Sequence, residues 1–167
     1  MIGQTYALKY PGSFRSLALC DTTSRYPAEA AGLWVERIKT IETRGMEPLV
    51  APTLERWFTE PFRKTHPEVV EKVAAMIRTT PAPGYIGCSH AIPKMNLTAR
   101  LKEIRCPAVV IVGKDDPGTP LAMAEEIHQA LPGSKLVVIA SAAHLSNLEQ
   151  PDAFNQALAG FLDRAAK

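Results

Sequence analysis

Asp116 and His144 each come shortly after an apolar run of the sequence. The two runs, Ala108–Val112 and Lys135–Ile139, are rich in β-branched residues. The first run is of the kind that is buried on both faces of a parallel sheet, and the second is predicted to be the next strand. Because ligands of an open α/β sheet bind outside the carboxyl ends of its strands, we expect the Asp116 carboxylate and the His144 imidazole to meet there.

A carboxylate beside an imidazole is a recurrent catalytic arrangement. The imidazole takes a proton from a hydroxyl and returns it to the leaving group, while the carboxylate fixes the tautomer and stabilises the imidazolium. The order along the chain, acid before histidine, is that of a hydrolase triad whose third member is a serine. Asp116 and His144 are therefore the candidate catalytic residues. Asp115 is the alternative acid, although its position is more typical of an exposed turn residue.

The nucleophile of such a triad is not evident in the sequence. No serine lies in a Gly-x-Ser-x-Gly pattern, which marks a nucleophile elbow. Cys88 and Ser89 follow a glycine, but they fall in a predicted helix rather than directly after a strand. The remaining histidines lie in predicted helices or linkers and are expected to be surface or packing residues: His66, His90 and His128.

Three strands are needed to position these residues in an α/β fold. In addition to the two apolar runs, Phe14–Cys20 predicts a buried strand, and all three strands should be parallel. Helical patterns surround them. Thr119 is the expected N-cap of a helix that has Pro120 in its first turn. The other helices predicted around the sheet cover Met1–Tyr10 and the segment that starts at Pro151.

The middle of the chain has a different pattern, with helices and no strand. Helical segments are predicted at four places: from Pro27 to Gly45 with Leu33, Trp34, Ile38 and Ile41 on its apolar face, and over Met46–Phe58, Pro67–Arg78 and Pro81–Ile92. A block of helices between two strands of one sheet indicates a cap inserted into a core domain. We therefore predict a core made of residues 1–23 and 101–167 and a cap made of residues 24–100.

Two motifs of the chain, Gly113–Pro120 and His144–Pro151, resemble those of the α/β-hydrolase fold family, and in particular those of 3-oxoadipate enol-lactonase-like hydrolases. Met1–Leu8 and Leu54–Phe58 add to the resemblance. The resemblance implies the C-terminal half of that fold, with three parallel strands, flanking helices and an inserted helical cap. It also implies that Met1–Gly3 correspond to the residues just after the nucleophile serine. The chain is then a fragment that lacks this serine and is inactive alone.

The same resemblance implies a function. The parent enzyme would hydrolyse a small ester or lactone, most simply 3-oxoadipate enol-lactone in the β-ketoadipate pathway of aromatic catabolism, without a cofactor or metal. Substrates of that branch carry a carboxylate, which Arg37 would bind while Trp34 and Trp57 form an apolar wall. Arg44 and Arg56 are alternatives to Arg37. The other interpretation is that both tryptophans are packing residues and that Arg37 is a solvent-exposed charge. The alternative functions are another capped esterase, a hydrolase of carbon–carbon bonds, and a non-catalytic truncated protein.

Composition excludes several classes of protein. The chain has 167 residues, of which 46% are hydrophobic, as expected for a globular domain. Its net charge of +2 predicts no nucleic-acid partner. No apolar run is long enough to span a bilayer and no secretory signal opens the sequence, so a cytoplasmic protein without a membrane partner is expected. Three widely spaced cysteines argue against a disulfide framework or a zinc site: Cys20, Cys88 and Cys106.

A further expectation concerns the strand Phe14–Cys20. In the family, this strand pairs with the strand that leads into the nucleophile. Without that neighbour, its outer backbone groups should be unpaired, and Leu17 and Leu19 should have partly bare faces. An open apolar edge is a template for pairing with another chain. We therefore predict that the isolated chain is poorly soluble or associates with itself through this edge.

Overall fold

The computed structural model describes residues 1–27 and 30–165, which belong to two compact units. The core unit comprises Met1–Ser24 and Leu97–Lys167, and the inserted unit comprises Arg25–Asn96. In chain order the helices are α1 (Ile2–Lys9), α2 (Ala31–Arg44), α3 (Glu47–Trp57), α4 (Glu60–Thr65), α5 (Pro67–Thr79), α6 (Ala82–Ala91), α7 (Leu121–Ala130), α8 (Ser146–Glu149) and α9 (Pro151–Ala165), with short 3-10 helices at Ile92–Lys94 and Thr98–Glu103.

A parallel sheet of three strands organises the core unit. The strands are β1 (Leu17–Cys20), β2 (Ala108–Gly113) and β3 (Lys135–Ile139), in the spatial order β1-β2-β3. The central strand β2 pairs with β1 on one side and with β3 on the other, and all 6 of its residues are buried. The predicted fold class, an α/β fold with three parallel strands and flanking helices, is confirmed.

The first strand is shorter than the sequence predicts. It begins at Leu17 rather than at Phe14, because Phe14 lies in the connection after α1, where its ring is 5.3 Å from the ring of Tyr6. The expectation that Leu17 and Leu19 have bare faces is also wrong, since they are only 8% and 4% exposed. They point into a core formed with Leu8 of α1 and with other apolar residues, so the exposed residue of β1 is Ala18.

The two faces of the sheet are covered by different helices. Alternate residues of a strand point to opposite faces, which divides the core into two clusters. One cluster contains Leu8, Leu17, Leu19, Leu101, Val110, Val112, Ala124, Ile127 and Leu131. The other contains Val109, Ile111, Ile139, Ala142 and Phe161. The helices α1 and α7 therefore lie over one face of the sheet, and α9 lies over the other.

The inserted unit consists of helices, with differences from the predicted ones. The helix α2 begins at Ala31 rather than at Pro27, and Leu33, predicted on its apolar face, is 60% exposed. Trp34, Ile38 and Ile41 are buried as predicted. The short helix α4 was not predicted. It begins at Glu60 because the Thr59 hydroxyl accepts a hydrogen bond from the Phe62 amide and so caps the helix.

The two ends of the inserted unit are joined. Arg25 and Asn96 form an antiparallel bridge, and the Tyr26 amide donates to the Met95 carbonyl at 3.2 Å. Just inside the core unit, the Leu97 amide donates to the Ser24 carbonyl at 2.8 Å. Within residues 1–27 and 30–165, no helix has the length and apolar character of a membrane span.

Candidate active site

The loops that follow β2 and β3 are joined by backbone hydrogen bonds at the carboxyl end of the sheet. The Lys114 amide donates to the Ile139 carbonyl at 2.8 Å, and the Asp115 amide donates to the Ala142 carbonyl at 2.9 Å. These bonds hold the segment after β2 beside the segment after β3. Asp116 and His144, which come next in each segment, therefore lie at neighbouring positions.

The structure brings the side chains of Asp116 and His144 into contact. The His144 Nδ1 and Asp116 Oδ2 atoms are 2.8 Å apart in a hydrogen bond. The Asp116 side chain is fully buried, whereas 25% of the His144 side chain is exposed. Asp116, rather than the exposed Asp115, is the carboxylate at this position. A buried acid that holds a partly accessible imidazole is a suitable arrangement for proton transfer.

Thr119 supports the acid instead of capping a helix. Its hydroxyl donates to Asp116 Oδ2 at 2.7 Å, and its amide donates to Asp116 Oδ1 at 3.0 Å. The Gly118 amide donates to the same Oδ1 at 2.7 Å. The helix α7 begins only at Leu121, so the prediction of Thr119 as its N-cap is wrong. The polar groups of this turn are used to hold the carboxylate.

Burial is the largest influence on the pKa of the Asp116 carboxyl and by itself raises it. The hydrogen bond and the charge of His144, together with hydrogen bonds from Thr119, lower the pKa and outweigh burial. The pKa therefore lies below the ordinary value of 3.8. Asp116 is a carboxylate at neutral pH and can stabilise an imidazolium on His144.

Asp21 is a second carboxylate in this region that the sequence analysis missed. It directly follows β1, and its Oδ1 accepts a hydrogen bond from the Gly113 amide at 2.8 Å. Its Oδ2 accepts one from the Ser146 hydroxyl at 2.6 Å. Burial raises the pKa of Asp21, and the charge of Asp116 adds to this, while the hydrogen bonds and His144 act against it. The signal that could have found Asp21 is its position directly after the predicted strand Phe14–Cys20.

Two further features fix the loop that carries His144. Glu149 Oε2 accepts a hydrogen bond from the Ala143 amide at 2.5 Å. Gly113, the last residue of β2, lies so close to this loop that a Cβ atom there would collide with the carbonyl groups of Ala142 and Ala143. The loop is thus packed against bare backbone on one side and bonded to a carboxylate on the other.

In the inserted unit, three of the predicted substrate-binding residues lie in one neighbourhood. The Arg37 guanidinium lies over the Trp34 ring, 4.7 Å from its centroid, and Tyr26 packs edge-on to the same ring at 5.5 Å. Burial, followed by the charge of Arg37, lowers the pKa of Arg56. The two guanidinium groups are therefore close enough to repel each other. Trp57 is half-buried in the same unit, whereas the alternative Arg44 is exposed.

The other candidates have ordinary surroundings. Cys88 is exposed on α6, and the Ser89 hydroxyl donates to the Tyr85 carbonyl at 2.9 Å. His66 stacks on Phe62, His128 bonds to the Ser134 hydroxyl at 2.8 Å, and His90 is exposed. The part of the chain that the structure describes holds no group of His, Cys, Asp and Glu side chains arranged to bind a metal ion.

The sequence is similar to those of two enol-lactonases of Acinetobacter baylyi. It is 31% identical to 3-oxoadipate enol-lactonase 2 over 164 residues, which are 98% of this chain and 60% of that protein. It is 34% identical to 3-oxoadipate enol-lactonase 1 over 149 residues, which are 89% of this chain and 55% of that protein. The chain thus spans little more than half the length of these relatives.

Solved structures of hydrolases are also similar to this chain. The enol-lactonase from Burkholderia xenovorans LB400 superposes with a TM-score of 0.91 at 31% identity, over 96% of this chain and 61% of that one. A thermophilic esterase from Thermogutta terrifontis superposes with a TM-score of 0.92 at 28% identity, over 99% and 62% of the two chains. The sequence model of the alpha/beta hydrolase fold matches residues 1–151, and the chain therefore belongs to the α/β-hydrolase family.

Proposed function

We propose that this chain supplies the acid and the histidine of a serine-type hydrolase that opens a carboxylic ester or lactone. The observation that carries the proposal is the 2.8 Å hydrogen bond between the buried Asp116 and His144, at the carboxyl end of an α/β-hydrolase sheet. The similarity to two 3-oxoadipate enol-lactonases makes 3-oxoadipate enol-lactone, an intermediate of aromatic catabolism, the substrate that we propose.

The proposed mechanism follows from the tautomer of His144. Because the Asp116 carboxylate is an acceptor, Nδ1 of the imidazole carries the proton, and Nε2 has the lone pair. Nε2 then accepts the proton of a serine hydroxyl as that oxygen attacks the substrate carbonyl. The imidazolium returns the proton to the leaving oxygen, and the cycle repeats with water. Asp116 stabilises the imidazolium in both halves of the reaction, and no metal or cofactor is needed.

The proposal assigns the nucleophile to sequence outside these 167 residues. The sequence contains no Gly-x-Ser-x-Gly motif, and it matches only 60% of the length of 3-oxoadipate enol-lactonase 2. One oxyanion donor is assigned in the same way, because in this fold it comes from a loop that precedes the nucleophile in the sequence. The 167-residue chain alone is then expected to hydrolyse neither enol-lactones nor aryl esters above background, since removing one oxyanion donor already costs about 100- to 1,000-fold.

The inserted unit supports a substrate that bears a carboxylate. Arg37 and Arg56 place two positive charges near one another, and Arg56 is partly buried. A carboxylate bound between them would relieve their repulsion and form charge-assisted hydrogen bonds. Trp34, which Arg37 covers, and the half-buried Trp57 are the apolar groups that we propose for the rest of the substrate. We propose the inserted unit as the substrate-selecting cap.

A simple carboxylic ester is the second candidate substrate. It is supported by the likeness to the thermophilic esterase, whose TM-score of 0.92 is similar to that of the enol-lactonase. The two candidates differ in the need for a substrate carboxylate. The Arg37→Ala variant should raise KM for a lactone that bears a carboxylate and leave KM for p-nitrophenyl acetate unchanged. An equal effect on both substrates would favour the simple ester.

The experiment that tests the proposal uses the complete open reading frame, with any coding sequence that precedes Met1 in frame. The purified protein should hydrolyse the enol-lactone, and His144→Ala should reduce kcat by about 10⁴- to 10⁶-fold. The matched control is His90→Ala, which changes an exposed histidine of α6. Full activity of the His144→Ala variant would contradict the proposal, and a complete protein without any turnover would favour a non-catalytic role.

A further inference from the structure

Asp21 links the ends of β1 and β2 to the segment that carries His144. It follows β1 directly, and its backbone amide still donates to the Ile111 carbonyl of β2 at 2.8 Å. One carboxylate oxygen accepts from the Gly113 amide, at the end of β2, and the other accepts from the Ser146 hydroxyl, at the start of α8. Ser146 is only two residues after His144 and is fully buried. Asp21 therefore joins two strand ends to the segment that carries the imidazole.

The backbone of Asp21 has an unusual conformation that serves this contact. Its φ angle is 42°, in the left-handed region that few residues other than glycine adopt. Aspartate and asparagine tolerate this region better than other side chains do. The conformation ends the strand, turns the chain away from the sheet and leaves the carboxylate over the end of β2. A residue held in such a conformation at a strand end points to a specific role.

Asp21 also interacts electrostatically with the candidate catalytic residues. Burial raises its pKa, and the positive charge of His144 and the negative charge of Asp116 act on it in opposite directions. The charged groups around His144 include Asp116 from the loop after β2, Asp21 from the loop after β1, and Glu149 from α8. Of these carboxylates, Asp116 is hydrogen-bonded to the ring, with 2.8 Å between His144 Nδ1 and Asp116 Oδ2. An imidazolium on His144 is thus close to more than one carboxylate.

We propose that Asp21 is a positioning residue for His144. Through its hydrogen bonds to Ser146 and Gly113, Asp21 holds the loop after β3 against the end of β2. The proposal rests on the proposed catalytic role of His144. In this arrangement Asp116 fixes the ring itself, and Asp21 fixes the backbone that presents the ring. A displacement of the ring by about 1 Å can reduce turnover by about 100-fold.

The test compares three variants in the complete protein that is expressed for the activity assay. Asp21→Asn removes the charge and keeps the size of the side chain. Ser146→Ala breaks the link to the His144 loop and keeps the charge. Asp163→Asn is the matched control, because Asp163 is an exposed carboxylate near the end of α9. For each variant, the NMR signal of the His144 Nδ1 proton, which lies in the hydrogen bond to Asp116, is measured, and kcat and KM are measured with the substrate.

Asp21→Asn should shift the NMR signal of the His144 Nδ1 proton, because the ring is then held less firmly in its hydrogen bond to Asp116. It should reduce kcat roughly 10- to 100-fold at nearly constant KM, because the ring is less well oriented. Asp163→Asn should change neither quantity. An Asp21→Asn protein that melts earlier but keeps the wild-type signal of the His144 Nδ1 proton and the wild-type kcat would overturn the proposal, because Asp21 would then be merely structural.

Ser146→Ala decides the question if Asp21→Asn yields no folded protein. A lower kcat at constant KM supports the positioning role, and an unchanged kcat overturns it. The NMR measurement on His144 does not depend on turnover. A protein without hydrolase activity, which would refute the proposed function, therefore still gives a separate result for the effect of Asp21 on His144.

Discussion

Three carboxylates act on different parts of the His144 segment. Asp116 bonds to the imidazole ring, Asp21 bonds to the Ser146 hydroxyl, and Glu149 bonds to the Ala143 amide. A residue on each side of His144 is thus hydrogen-bonded to a carboxylate, as the ring itself is. Small changes at these positions are expected to alter the orientation of the ring without removing any group that takes part in the chemistry.

The low pKa of Asp116 predicts a pH-dependent contribution to stability. A carboxyl whose pKa is lower in the folded protein than in the unfolded chain stabilises the fold above its unfolded pKa, and this stabilisation is lost as the pH falls through the folded value. The free energy of unfolding of the wild type should therefore exceed that of Asp116→Asn most near neutral pH. The difference should shrink in acid, below the ordinary value of 3.8.

Urea unfolding of both proteins at several pH values between about 7 and 3 measures this difference. This pH range includes the ordinary pKa of a carboxyl group. Asp115→Asn is the control, because Asp115 is exposed in the same loop. It should change stability little, because the side chain that it alters is exposed. A difference between wild type and Asp116→Asn that stays constant down to the most acidic point would contradict the low pKa of Asp116.

The cysteines are expected to differ in reactivity. Burial, followed by the charge of Asp21, raises the pKa of the Cys20 thiol to about 11. Only the thiolate reacts with alkylating reagents, so Cys20 should stay unmodified by iodoacetamide at mildly alkaline pH in the folded protein. Cys88 is exposed on α6 and should be modified. Peptide mass spectrometry measures both, and rapid labelling of Cys20 before unfolding would be the contrary result.

At the level of single residues, the sequence predicts the contact between Asp116 and His144 because each follows an apolar run that is recognisable as a strand. It does not predict Asp21 or Thr119 in their observed roles. The Ser146 partner of Asp21 lies 125 residues away in the sequence, and nothing local marks the pair. Local patterns predict Thr119 as a helix cap, whereas the buried carboxylate of Asp116 offers its hydroxyl a stronger partner.

Among the secondary-structure elements, the junction between β2 and the loop after β3 depends on a single glycine. A Cβ atom at Gly113 would collide with backbone carbonyls of Ala142 and Ala143, which cannot move aside as a flexible side chain could. Gly113→Ala should therefore lower the free energy of unfolding by about 1–3 kcal/mol. It should also displace His144 and reduce any hydrolase activity.

Gly160→Ala is the matched control for this substitution. Gly160 lies inside α9, and a Cβ atom there would be 3.7 Å from an Arg164 nitrogen, an ordinary contact. Alanine favours a helix over glycine by about 1 kcal/mol, so this variant should be as stable as the wild type or more so. Thermal unfolding of the two variants measures the contrast. Equal stability of both would show that the loop after β3 can shift freely.

The elements themselves are predicted from the sequence to different degrees. The predicted strand Lys135–Ile139 has the observed bounds, because it is apolar between a glycine turn and a loop of small residues. The first strand is predicted too long, because the ring of Phe14 packs on α1 instead of continuing the strand. The start of α2 and the presence of α4 depend on the arrangement of the inserted unit, which local patterns do not specify.

In the molecule as a whole, β1 is an edge strand of the sheet as described for residues 1–27 and 30–165. The amides of Leu17 and Asp21 donate to the chain around β2, so the amide of Ala18 points away from it. Exposed edges of this kind promote association with another chain. Since Leu17 and Leu19 are buried, this association would depend on backbone pairing rather than on bare apolar side chains.

Analytical ultracentrifugation of the 167-residue chain measures this association. The wild type should form dimers or larger species, and Ala18→Lys should reduce them, because a charge on an edge strand opposes pairing. Val138→Lys is the control, since Val138 is 41% exposed on β3, the strand at the other edge. A monomeric wild type, or a greater effect of Val138→Lys, would mean that β1 is not the associating edge.

The inserted unit leaves the core unit and returns to it at one point. Ser24 and Leu97 are joined by a backbone hydrogen bond of 2.8 Å, and the next residues outward, Arg25 and Asn96, form a bridge of their own. A segment whose two ends touch can be exchanged for one of another length without moving the chain on either side. In evolution, the Arg25–Asn96 segment can therefore diversify as a cassette while β1 and β2 keep their register.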